Sequence, residues 1–427
     1  MRVIVAPFGS RGDFQPLLAL AVALHRAGHD VLLTTTQNFA AEAAAFAVPT
    51  DASAFDVEAY VREATASGGT LRALVKMARP ETGRQLFSQM METTLRLCRG
   101  ADLIIGGGAQ FIAPTVAEKL GAPYLLAVYS PQVLPSSYHP PITVPWFGLP
   151  SWGNRFMWWL YERTLRFLLG GSLNHERRQL GLEPVRDFIR YFSPPASSVV
   201  AADPELAVVP PDVSLARPLT GALHLVDERP LPSELEAFLG AGAPPIYVGF
   251  GSMGDAHPER TSRAIMEGVR ASGRRLVLGS GWADFKGPTE QAKLMGEDVF
   301  TVGAVSHRLL FPRVAAIVHH GGAGTSGAAL RAGRPQLVVP HLFDQFQWGQ
   351  WVARAGVGPE PLPKRRLTAD RLAAKLGELL RHERYAARAE ELSIRVRERD
   401  PAAQWIALAE TAARGQVGVS RPRTSGP

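Results

Sequence analysis

The sequence contains a single cysteine, and this scarcity excludes several kinds of site. Because Cys98 has no second cysteine to pair with, neither an internal disulfide nor a cysteine-based metal site can form. Proteins without disulfides are typical of reducing compartments, so we expect a cytoplasmic location. The apolar run at the amino terminus is too short for the core of a signal peptide, and no run of about 18 apolar residues predicts a membrane span.

The sequence also lacks a concentrated basic stripe. Its formal charge is +7, from 46 Lys and Arg against 39 Asp and Glu, but these residues are scattered along the chain. Nucleic-acid-binding faces gather basic residues with interleaved aromatic ones, so no nucleic-acid partner is expected. Near the motifs described below there is no Asp-x-Asp cluster of the kind that holds a divalent cation. We therefore expect neither a bound metal nor another cofactor.

What the sequence does contain is a regular alternation of apolar strands and helices. A chain of 427 residues, 46% hydrophobic and 20% charged, is long enough for two domains with separate cores. Continuous apolar strands alternating with helices are typical of parallel sheets, so each half is predicted to be a doubly wound α/β domain. The predicted strands are Val3–Phe8, Val31–Thr35, Asp102–Ile105, Pro123–Val128, Leu206–Val209, Pro245–Phe250, Leu276–Leu278, Val299–Val302, Ala316–His319 and Gln336–Pro340.

A proline-rich passage separates the two series of strands. Prolines suppress regular structure and stiffen a connection, so the domain boundary is placed there. We predict a first Rossmann-like domain over residues 1–215, a linker over 216–232 and a second Rossmann-like domain over 233–392. Residues 415–427 are rich in Gly, Ser, Pro and Arg, a composition that predicts a disordered tail.

An aromatic segment between Pro145 and Gly171 interrupts the alternation. Its aromatic residues are Trp146, Phe147, Trp152, Phe156, Trp158, Trp159, Tyr161 and Phe167, and its arginines are Arg155, Arg163 and Arg166. Three interpretations stay open: an interfacial membrane helix, the wall of an apolar substrate pocket, or ordinary core packing. Membrane contact is the least favoured, because the motifs below require a substrate pocket in this half.

The most informative motif follows the predicted strand Ala316–His319. The sequence there reads His-His-Gly-Gly-Ala-Gly-Thr-Ser from His319 to Ser326, directly before a predicted helix. Glycines after a strand let the backbone approach a ligand, and a helix amino terminus offers free N–H groups to a phosphate. His320 and Thr325 can add hydrogen bonds to phosphate oxygens, whereas His319 can be a satisfied core residue. The motif predicts a diphosphate site.

This motif and four others resemble the family 1 glycosyltransferases of the GT-B fold, within the UDP-glycosyltransferase superfamily. The resemblance is to the group that contains antibiotic, macrolide and sterol glycosyltransferases, and it covers nearly the whole chain. The other segments are Phe250–Met253, Val302–His307 with Leu310–Pro312, Arg331–Gln336, and Asp344–Gln345. The resemblance implies two facing Rossmann-like domains, of which the first binds an acceptor and the second binds a nucleotide-diphosphate sugar. It also implies that a helix over 393–414 crosses back to the first domain.

The resemblance assigns roles to residues of the second half. It places Ser252, His320, Gly322, Gly324 and Thr325 on the donor diphosphate, Val305 and its loop against the base, and Asp344 with Gln345 on sugar hydroxyls. A carboxylate beside an amide supplies acceptors and a donor, which suits a polyhydroxylated ring. Alternatively, Asp344 caps the helix that runs through Gln350.

The amino-terminal segment Gly9–Pro16 resembles the acceptor-side motif of the antibiotic and sterol subgroup. Related enzymes often carry a base histidine where this chain has Arg11, and arginine cannot accept a proton. Asp13 is therefore the predicted catalytic base, with Ser10 beside it to orient a hydroxyl or contact the donor phosphate. The dipole of the helix that begins at Pro16 is expected to favour the charged carboxylate and weaken the base. Alternatively, Asp13 only caps this helix.

Together these motifs predict an inverting, metal-independent O-glycosyltransferase that moves a hexose, glucose or a deoxy sugar, to a hydroxyl of a hydrophobic small molecule. Ala328 stands where plant-type relatives have a glutamate that pairs with both ribose hydroxyls, so UDP- and dTDP-sugar donors both stay open. The Ala-, Arg-, Gly- and Pro-rich composition suggests a GC-rich bacterium, and from this and the antibiotic-type amino-terminal motif we favour a polyketide or macrolide acceptor over a sterol or lipid. An epimerase or hydrolase, and an inactive helper protein of the same fold, are the rival interpretations.

Overall fold

The computed structural model describes residues 1–53, 80–251, 253–255, 257–280 and 296–415. Within them the chain forms two compact units. The first comprises Met1–Ala201, Val209–Leu225 and Asp400–Pro427, and the second comprises Ala202–Val208 and Val226–Arg399. Apart from Gly415, the predicted tail over 415–427 lies outside the described residues.

The first unit is built on a six-stranded parallel sheet in the order β3-β2-β1-β4-β5-β6. The central strands β1, β4 and β5 are buried along almost their whole length, which is why their sequences are continuous apolar runs rather than alternating ones. The strands are β1 (Arg2–Phe8), β2 (Asp30–Thr36), β3 (Thr50–Ser53), β4 (Leu103–Gly108), β5 (Tyr124–Val128) and β6 (Ser198–Val200).

Helices connect the strands of this sheet and bury apolar side chains against the sheet or against one another. In the first of them, Leu17, Leu18 and Leu24 are fully buried and the helix packs on β1 and β2. The helices are α1 (Arg11–Arg26), α2 (Gln37–Ala44), α3 (Pro80–Cys98), α4 (Ala113–Leu120), α5 (Ser151–Gln179) and α6 (Phe188–Phe192).

The second unit is built on a five-stranded parallel sheet in the order β11-β10-β7-β8-β9. Ile246 and Val248 belong to one buried cluster and Tyr247 to another, because successive side chains of a strand point to opposite faces. The strands are β7 (Ile246–Gly249), β8 (Leu276–Gly279), β9 (Val299–Val302), β10 (Ala316–His319) and β11 (Gln336–Val338). The helices are α7 (Ser233–Gly240), α8 (Pro258–Arg270), α9 (His307–Leu310), α10 (Ala323–Arg331), α11 (Gln345–Ala355), α12 (Ala369–Arg381) and α13 (Glu383–Glu398).

Both sheets reverse their strand order at one point, between β1 and β4 in the first unit and between β7 and β10 in the second. In doubly wound sheets, ligands bind at the carboxyl ends of the strands that flank such a switch point. Asp13 follows β1 and His320 follows β10. The topology therefore brings both predicted motifs to ligand-binding positions of their own sheets.

One predicted strand is wrong. Leu206–Val209 is irregular backbone that begins with a turn, in which the N–H groups of Leu206 and Ala207 donate to the carbonyl of Asp203. Pro210 and Pro211 follow at once and have no N–H to offer a sheet. The sheet is completed instead by the short strand β6, which pairs with β5 and was not predicted.

The end of the chain differs in detail from the predicted 393–414 helix. Two helices cover this range: α13 ends at Glu398 and α14 (Pro401–Ala413) begins after Asp400, whose side chain accepts from the N–H of Ala403. Pro401 favours a new helix start because its ring presets φ and its missing N–H is not needed there. The helix α14 packs on α1, β4 and β5 within the first unit.

From Ser151 onward the aromatic segment forms the first part of α5, a continuous helix of 29 residues, and Trp146 and Phe147 lie in the loop before it. None of the described helices combines the length and the hydropathy needed to cross a bilayer.

Candidate active site

The carboxylate of Asp13 lies at the junction of β1 and α1, in a place that two glycines keep open. Gly9 has φ +144°, and a Cβ there would collide with Oδ2 of Asp13. Gly108, at the end of β4 with φ +70°, comes so close that its Cβ would lie 2.8 Å from the Cβ of Asp13. Both positions need glycine for conformation and for space, so the backbone itself defines where this carboxylate sits.

The two oxygens of the Asp13 carboxylate differ in their partners. Oδ2 accepts from the backbone N–H of Ser10 at 2.8 Å and from the Ser10 hydroxyl at 3.0 Å. Oδ1 has no hydrogen-bond partner among the described residues. The helix α1 begins at Arg11 rather than at the predicted Pro16, so Asp13 lies in its first turn and its side chain reaches back to Ser10, the residue just before the helix. One oxygen nevertheless stays available to a ligand.

Burial raises the pKa of Asp13 from 3.8 to about 6. The two hydrogen bonds from Ser10 act in the opposite direction, but their effect is smaller. The expectation that the helix dipole would weaken this base was therefore wrong. Removing a carboxylate from water disfavours its charged form, and here that cost exceeds what the helix start and Ser10 return. A carboxylate with a pKa near 6 is a better proton acceptor at neutral pH than an exposed aspartate.

Arg11 is occupied elsewhere. Its guanidinium pairs with Glu42 of α2 at 2.9 Å, and the amide of Gln15 donates to the other oxygen of Glu42 at 2.7 Å. The residue that stands where related enzymes often have a base histidine is thus part of an ion pair between α1 and α2.

Tyr129 was not predicted, although it contacts the segment that holds the base. Its hydroxyl donates to the backbone carbonyl of Asp13 at 3.0 Å, and burial raises its pKa well above the ordinary value of 10.0, so it stays a neutral donor. The signal was its position directly after β5, at the same edge of the sheet as Asp13.

The double-histidine motif follows β10 in the second unit, and its first histidine is structural. The N–H of Gly321 donates to Nδ1 of His319 at 3.1 Å, so the ring proton is on Nε2, which faces Oε1 of Gln336 at 2.9 Å. Both nitrogens are satisfied, the residue is fully buried, and burial lowers its pKa to about 4. His319 orders the loop but is not free to bind a ligand.

His320 is the second histidine, and it differs in one respect. Its Nδ1 is buried without a hydrogen-bond partner among the described residues. The ring packs between Gly251 and Gly322, where added Cβ atoms would lie 3.1 Å from Cε1 and 2.5 Å from Nε2. Burial, and then the neighbouring His319, His341 and His307, lower its pKa well below 6.5, so the ring is neutral and donates a single N–H.

The remaining residues of the motif form the start of α10. Gly322 precedes the helix, and Gly324 and Thr325 lie in its first turn, where backbone N–H groups have no partner within the helix. A Cβ at Gly324 would meet no atom within 4 Å, so this side of the turn is open. The arrangement can bind an anion through backbone donors and the helix dipole, with His320 beside it.

Asp344 and Gln345 follow β11 and begin α11, but they point to different partners. Asp344 does not cap the helix through its side chain; its Oδ2 accepts from the indole N–H of Trp348 at 3.1 Å. Oε1 of Gln345 accepts from the backbone N–H groups of His341 and Leu342 at 2.8 and 3.1 Å, and its amide nitrogen lies 3.1 Å from the sulfur of Met253. Gln345 therefore shapes its own loop.

The two other predicted donor residues are in different positions. Val305 follows β9 and packs on a buried cluster of the second unit that includes Ala329 of α10. Ser252 lies outside the described residues. The structure thus brings Ser10 and Asp13 together in one unit, and His320, Gly322, Gly324 and Thr325 together in the other.

Comparison with known proteins defines the class of this chain. Residues 3–138 match the glycosyltransferase family 28 N-terminal domain, and residues 286–407 match the erythromycin biosynthesis protein CIII-like, C-terminal domain. The structure resembles the glycosyltransferase VinC in complex with dTDP, with a TM-score of 0.67 over 97% of this chain and all of that one, at 21% identity. The spinosyn rhamnosyltransferase SpnG matches 96% of this chain and all of its own with a TM-score of 0.63. The predicted GT-B fold is confirmed.

Sequence relatives then identify the family. The chain is 38% identical over 403 residues to the vancomycin aglycone glucosyltransferase of Amycolatopsis orientalis, covering 90% of this chain and 92% of the relative. It is 36% identical to the dTDP-epi-vancosaminyltransferase of the same organism, covering 88% and 89%. A sterol 3-beta-glucosyltransferase of Arabidopsis thaliana is 28% identical, covering 90% of this chain and 63% of that one. The chain belongs to the family 1 glycosyltransferases, as predicted.

Proposed function

We propose that the protein is an inverting, metal-independent glycosyltransferase that moves a hexose from a UDP- or dTDP-sugar to a hydroxyl of a hydrophobic natural product. The observation that carries this proposal is the environment of Asp13. One carboxylate oxygen is held by Ser10, the other has no partner among the described residues, and burial raises the pKa to about 6. A general base works best when its pKa lies near the operating pH, and this one approaches that condition.

In the proposed reaction the acceptor oxygen attacks the anomeric carbon as its proton passes to Oδ1 of Asp13. The bond from the anomeric carbon to the diphosphate oxygen breaks, and the nucleoside diphosphate leaves with that electron pair. Attack from the side opposite the leaving group inverts the anomeric centre. Because an alcohol is a weak acid, proton transfer accompanies attack, and correct placement of the carboxylate matters as much as its basicity.

The leaving diphosphate gains charge as the bond breaks, and we assign its stabilisation to the loop after β10. The N–H groups at the start of α10, the neutral ring of His320 and the hydroxyl of Thr325 are donors fixed before the reaction begins. In the same proposal Ser10 and Ser252 contact phosphate, Val305 lies against the base, and Asp344 with Gln345 binds the sugar. For Gln345 only one amide N–H is available, because its oxygen accepts from the loop and its other N–H is directed at the sulfur of Met253.

The relatives guide the choice of acceptor. The relative named vancomycin aglycone glucosyltransferase supports an antibiotic aglycone as the acceptor, and the sterol glucosyltransferases are less similar. The relative named dTDP-epi-vancosaminyltransferase and the structure bound to dTDP support a thymidine donor, while uridine stays part of the proposal. We keep polyketides and macrolides beside glycopeptide aglycones as acceptors to test.

The test is acceptor-dependent release of UDP or dTDP, measured with glycopeptide, macrolide, polyketide and sterol acceptors, with and without EDTA. Transfer predicts release only when donor and acceptor are both present, unaffected by EDTA, and a product of inverted anomeric configuration by NMR. Asp13→Asn should leave no more than residual release, while Asp30→Asn, at an exposed carboxylate of the same unit, should release nucleotide as wild type does. Release without acceptor would replace this proposal by a hydrolase, and no release with any donor would favour a non-catalytic protein.

A further inference from the structure

The first part of α5 carries an exposed face that packing leaves uncovered. At about 100° per residue its members fall within an arc of about 140° of the helix. They are Trp152, Arg155, Phe156, Trp159, Leu160, Arg163, Arg166 and Phe167, and we refer to them as the aromatic face. Trp152 is 70% exposed and Phe167 is 79% exposed. From first to last these residues span about 22 Å along the helix axis.

The opposite side of α5 fixes this orientation. Trp158 is buried and donates its indole N–H to the carbonyl of His139 at 3.0 Å. The side-chain amide of Asn154 donates to the carbonyl of Ser137 at 2.9 Å, and Leu168 packs in the interior. These contacts define which side of the helix is inside, so the exposure of the aromatic face follows from the fold and excludes its interpretation as ordinary core.

The aromatic face is cationic. Arg155 and Arg163 are exposed, and the guanidinium of Arg163 lies 5.1 Å from the ring centre of Trp159. The acidic residues of α5 are not exposed: Glu162 accepts from the N–H groups of Phe188 and Ile189 and pairs with Arg166 at 3.2 Å, and Glu176 is buried. The face therefore presents aromatic rings and positive charge without an exposed carboxylate.

The loop before α5 continues the same surface chemistry. Trp146 is 62% exposed, and Phe147 is exposed beside it. A small-molecule pocket is concave, whereas these rings project from a single helix and its leading loop. Tryptophan and phenylalanine on one side of a helix, interleaved with arginine, are the combination that inserts into the headgroup region of an anionic bilayer.

We propose that the aromatic face docks the protein on an anionic lipid bilayer. Charge complementarity argues for lipid phosphate as the partner, since the aromatic face carries exposed arginines and no acidic member, and such a face is attracted to a negatively charged membrane. The rings enter the interface, while Arg155 and Arg163 stay at the phosphate level. This proposal does not depend on the proposed enzymatic function, because binding to lipid needs neither donor nor acceptor.

The experiment is flotation of the full chain with vesicles of phosphatidylglycerol and phosphatidylcholine, compared with phosphatidylcholine alone, without substrates. Wild type should float with the anionic vesicles and weaken with added salt. Arg155→Ser with Arg163→Ser should bind roughly 25-fold more weakly, from about fivefold per arginine. Trp152→Ser with Phe156→Ser and Trp159→Ser should lose binding. Arg365→Ser with Ile394→Ser, exposed residues of the second unit, is the matched control and should bind as wild type.

A second readout separates insertion from simple adsorption. Lipids with brominated acyl chains quench tryptophans that enter the bilayer, and Trp152→Phe with Trp159→Phe should remove most of this quenching without loss of folding, since both positions are exposed. Three results would overturn the proposal: no flotation of wild type at low salt, equal flotation of the aromatic-face variants, or a dimer in solution that these variants dissociate. A raised KM for a water-soluble acceptor with unchanged flotation would assign the face to acceptor binding instead.

Discussion

At Asp13 two opposing influences set the pKa of the carboxyl group. Burial raises it to about 6, and the two donors of Ser10 hold it from rising further. If Asp13 is the base, only its charged form accepts the acceptor proton. We therefore expect kcat/KM to fall as the pH drops through about 6, by about tenfold per pH unit below it. A pH profile between about 4.5 and 8.5 measures this limb, and a limb centred near 4 would contradict the raised pKa.

Asp13→Asn is the matching variant, because an amide keeps an oxygen for the N–H of Ser10 but cannot act as the base. Residual activity should lose the limb near pH 6. The folded state raises this pKa above its unfolded value, so the charged group opposes folding increasingly as the pH rises from about 4 to 6. The variant should therefore melt no lower than wild type at about pH 8. A lower melting temperature would mean that lost activity reflects lost folding.

For His320 we expect the opposite behaviour: donor binding that does not change with pH near neutrality. Its pKa is well below 6.5, so the ring stays neutral and contributes a hydrogen bond rather than a charge. UDP- and dTDP-sugars carry no phosphate that titrates near neutrality, and their Kd should stay constant between about pH 6 and 8. His320→Ala should weaken binding or turnover by about 10- to 100-fold, the range for a hydrogen bond to a charged group. Calorimetry on both proteins checks this, with His320→Gln expected to recover part of the loss.

For single residues, the sequence predicted which side chains belong to the candidate site better than it predicted their surroundings and pKa values. Asp13 and His320 were found from their positions after strands, yet the direction of the Asp13 pKa shift was wrong. The direction depends on burial, and Gly108 and Tyr129, which crowd the same segment, are about a hundred residues further along the chain. Nearby residues are enough to predict that a helix starts here. The burial that raises the pKa of Asp13 depends on residues that are distant in the sequence and pack around the carboxylate in the fold.

Among the structural elements, the meeting of β1, β4 and α1 depends on Gly108. An added Cβ would lie 2.8 Å from the Cβ of Asp13 and would collide with the carbonyl of Phe8. Gly108→Ala should therefore displace the carboxylate, lower kcat by at least about tenfold and cost about 1–3 kcal/mol of stability. Kinetics and chemical denaturation measure the two effects.

Gly121→Ala is the control for backbone strain. Gly121 ends α4 with φ +66°, close to the +70° of Gly108, but its Cβ would meet nothing within 4 Å. The two variants share the cost of a positive φ and differ in contact with Asp13. Equal loss of activity in both would show that strain, rather than displacement of the base, explains the Gly108 variant.

Strands were predictable wherever an apolar run was long enough to be buried on both faces, as in β1, β5, β7 and β10. The prediction from the sequence was wrong at the edge of the first sheet. Ser198–Val200 forms the edge strand β6 there, whereas the more apolar segment Leu206–Val209 forms no strand. Edge pairing depends on where the chain returns to the sheet, and that is set by the 29 residues of α5 and by the turn at Asp203. Apolar content alone does not contain this information.

For the whole molecule, the order of elements along the chain differs from their grouping in space. The first unit is completed by α14, which follows the entire second unit in sequence. Trp405 of α14 is fully buried, and its indole N–H donates to the hydroxyl of Thr220 at 3.0 Å.

This grouping predicts that a change in the last helix is felt by strands almost 300 residues earlier in the sequence. Trp405→Ala removes a large buried side chain and should destabilise the first unit by about 3–5 kcal/mol. Hydrogen exchange should then accelerate in β4 and β5, on which α14 packs, and stay unchanged in β7 and β8. Leu376→Ala, at a fully buried position of α12, should give the reverse pattern. Acceleration of both sheets by either variant would mean that the two units open together, and nucleotide binding to the second would then stabilise the first as well.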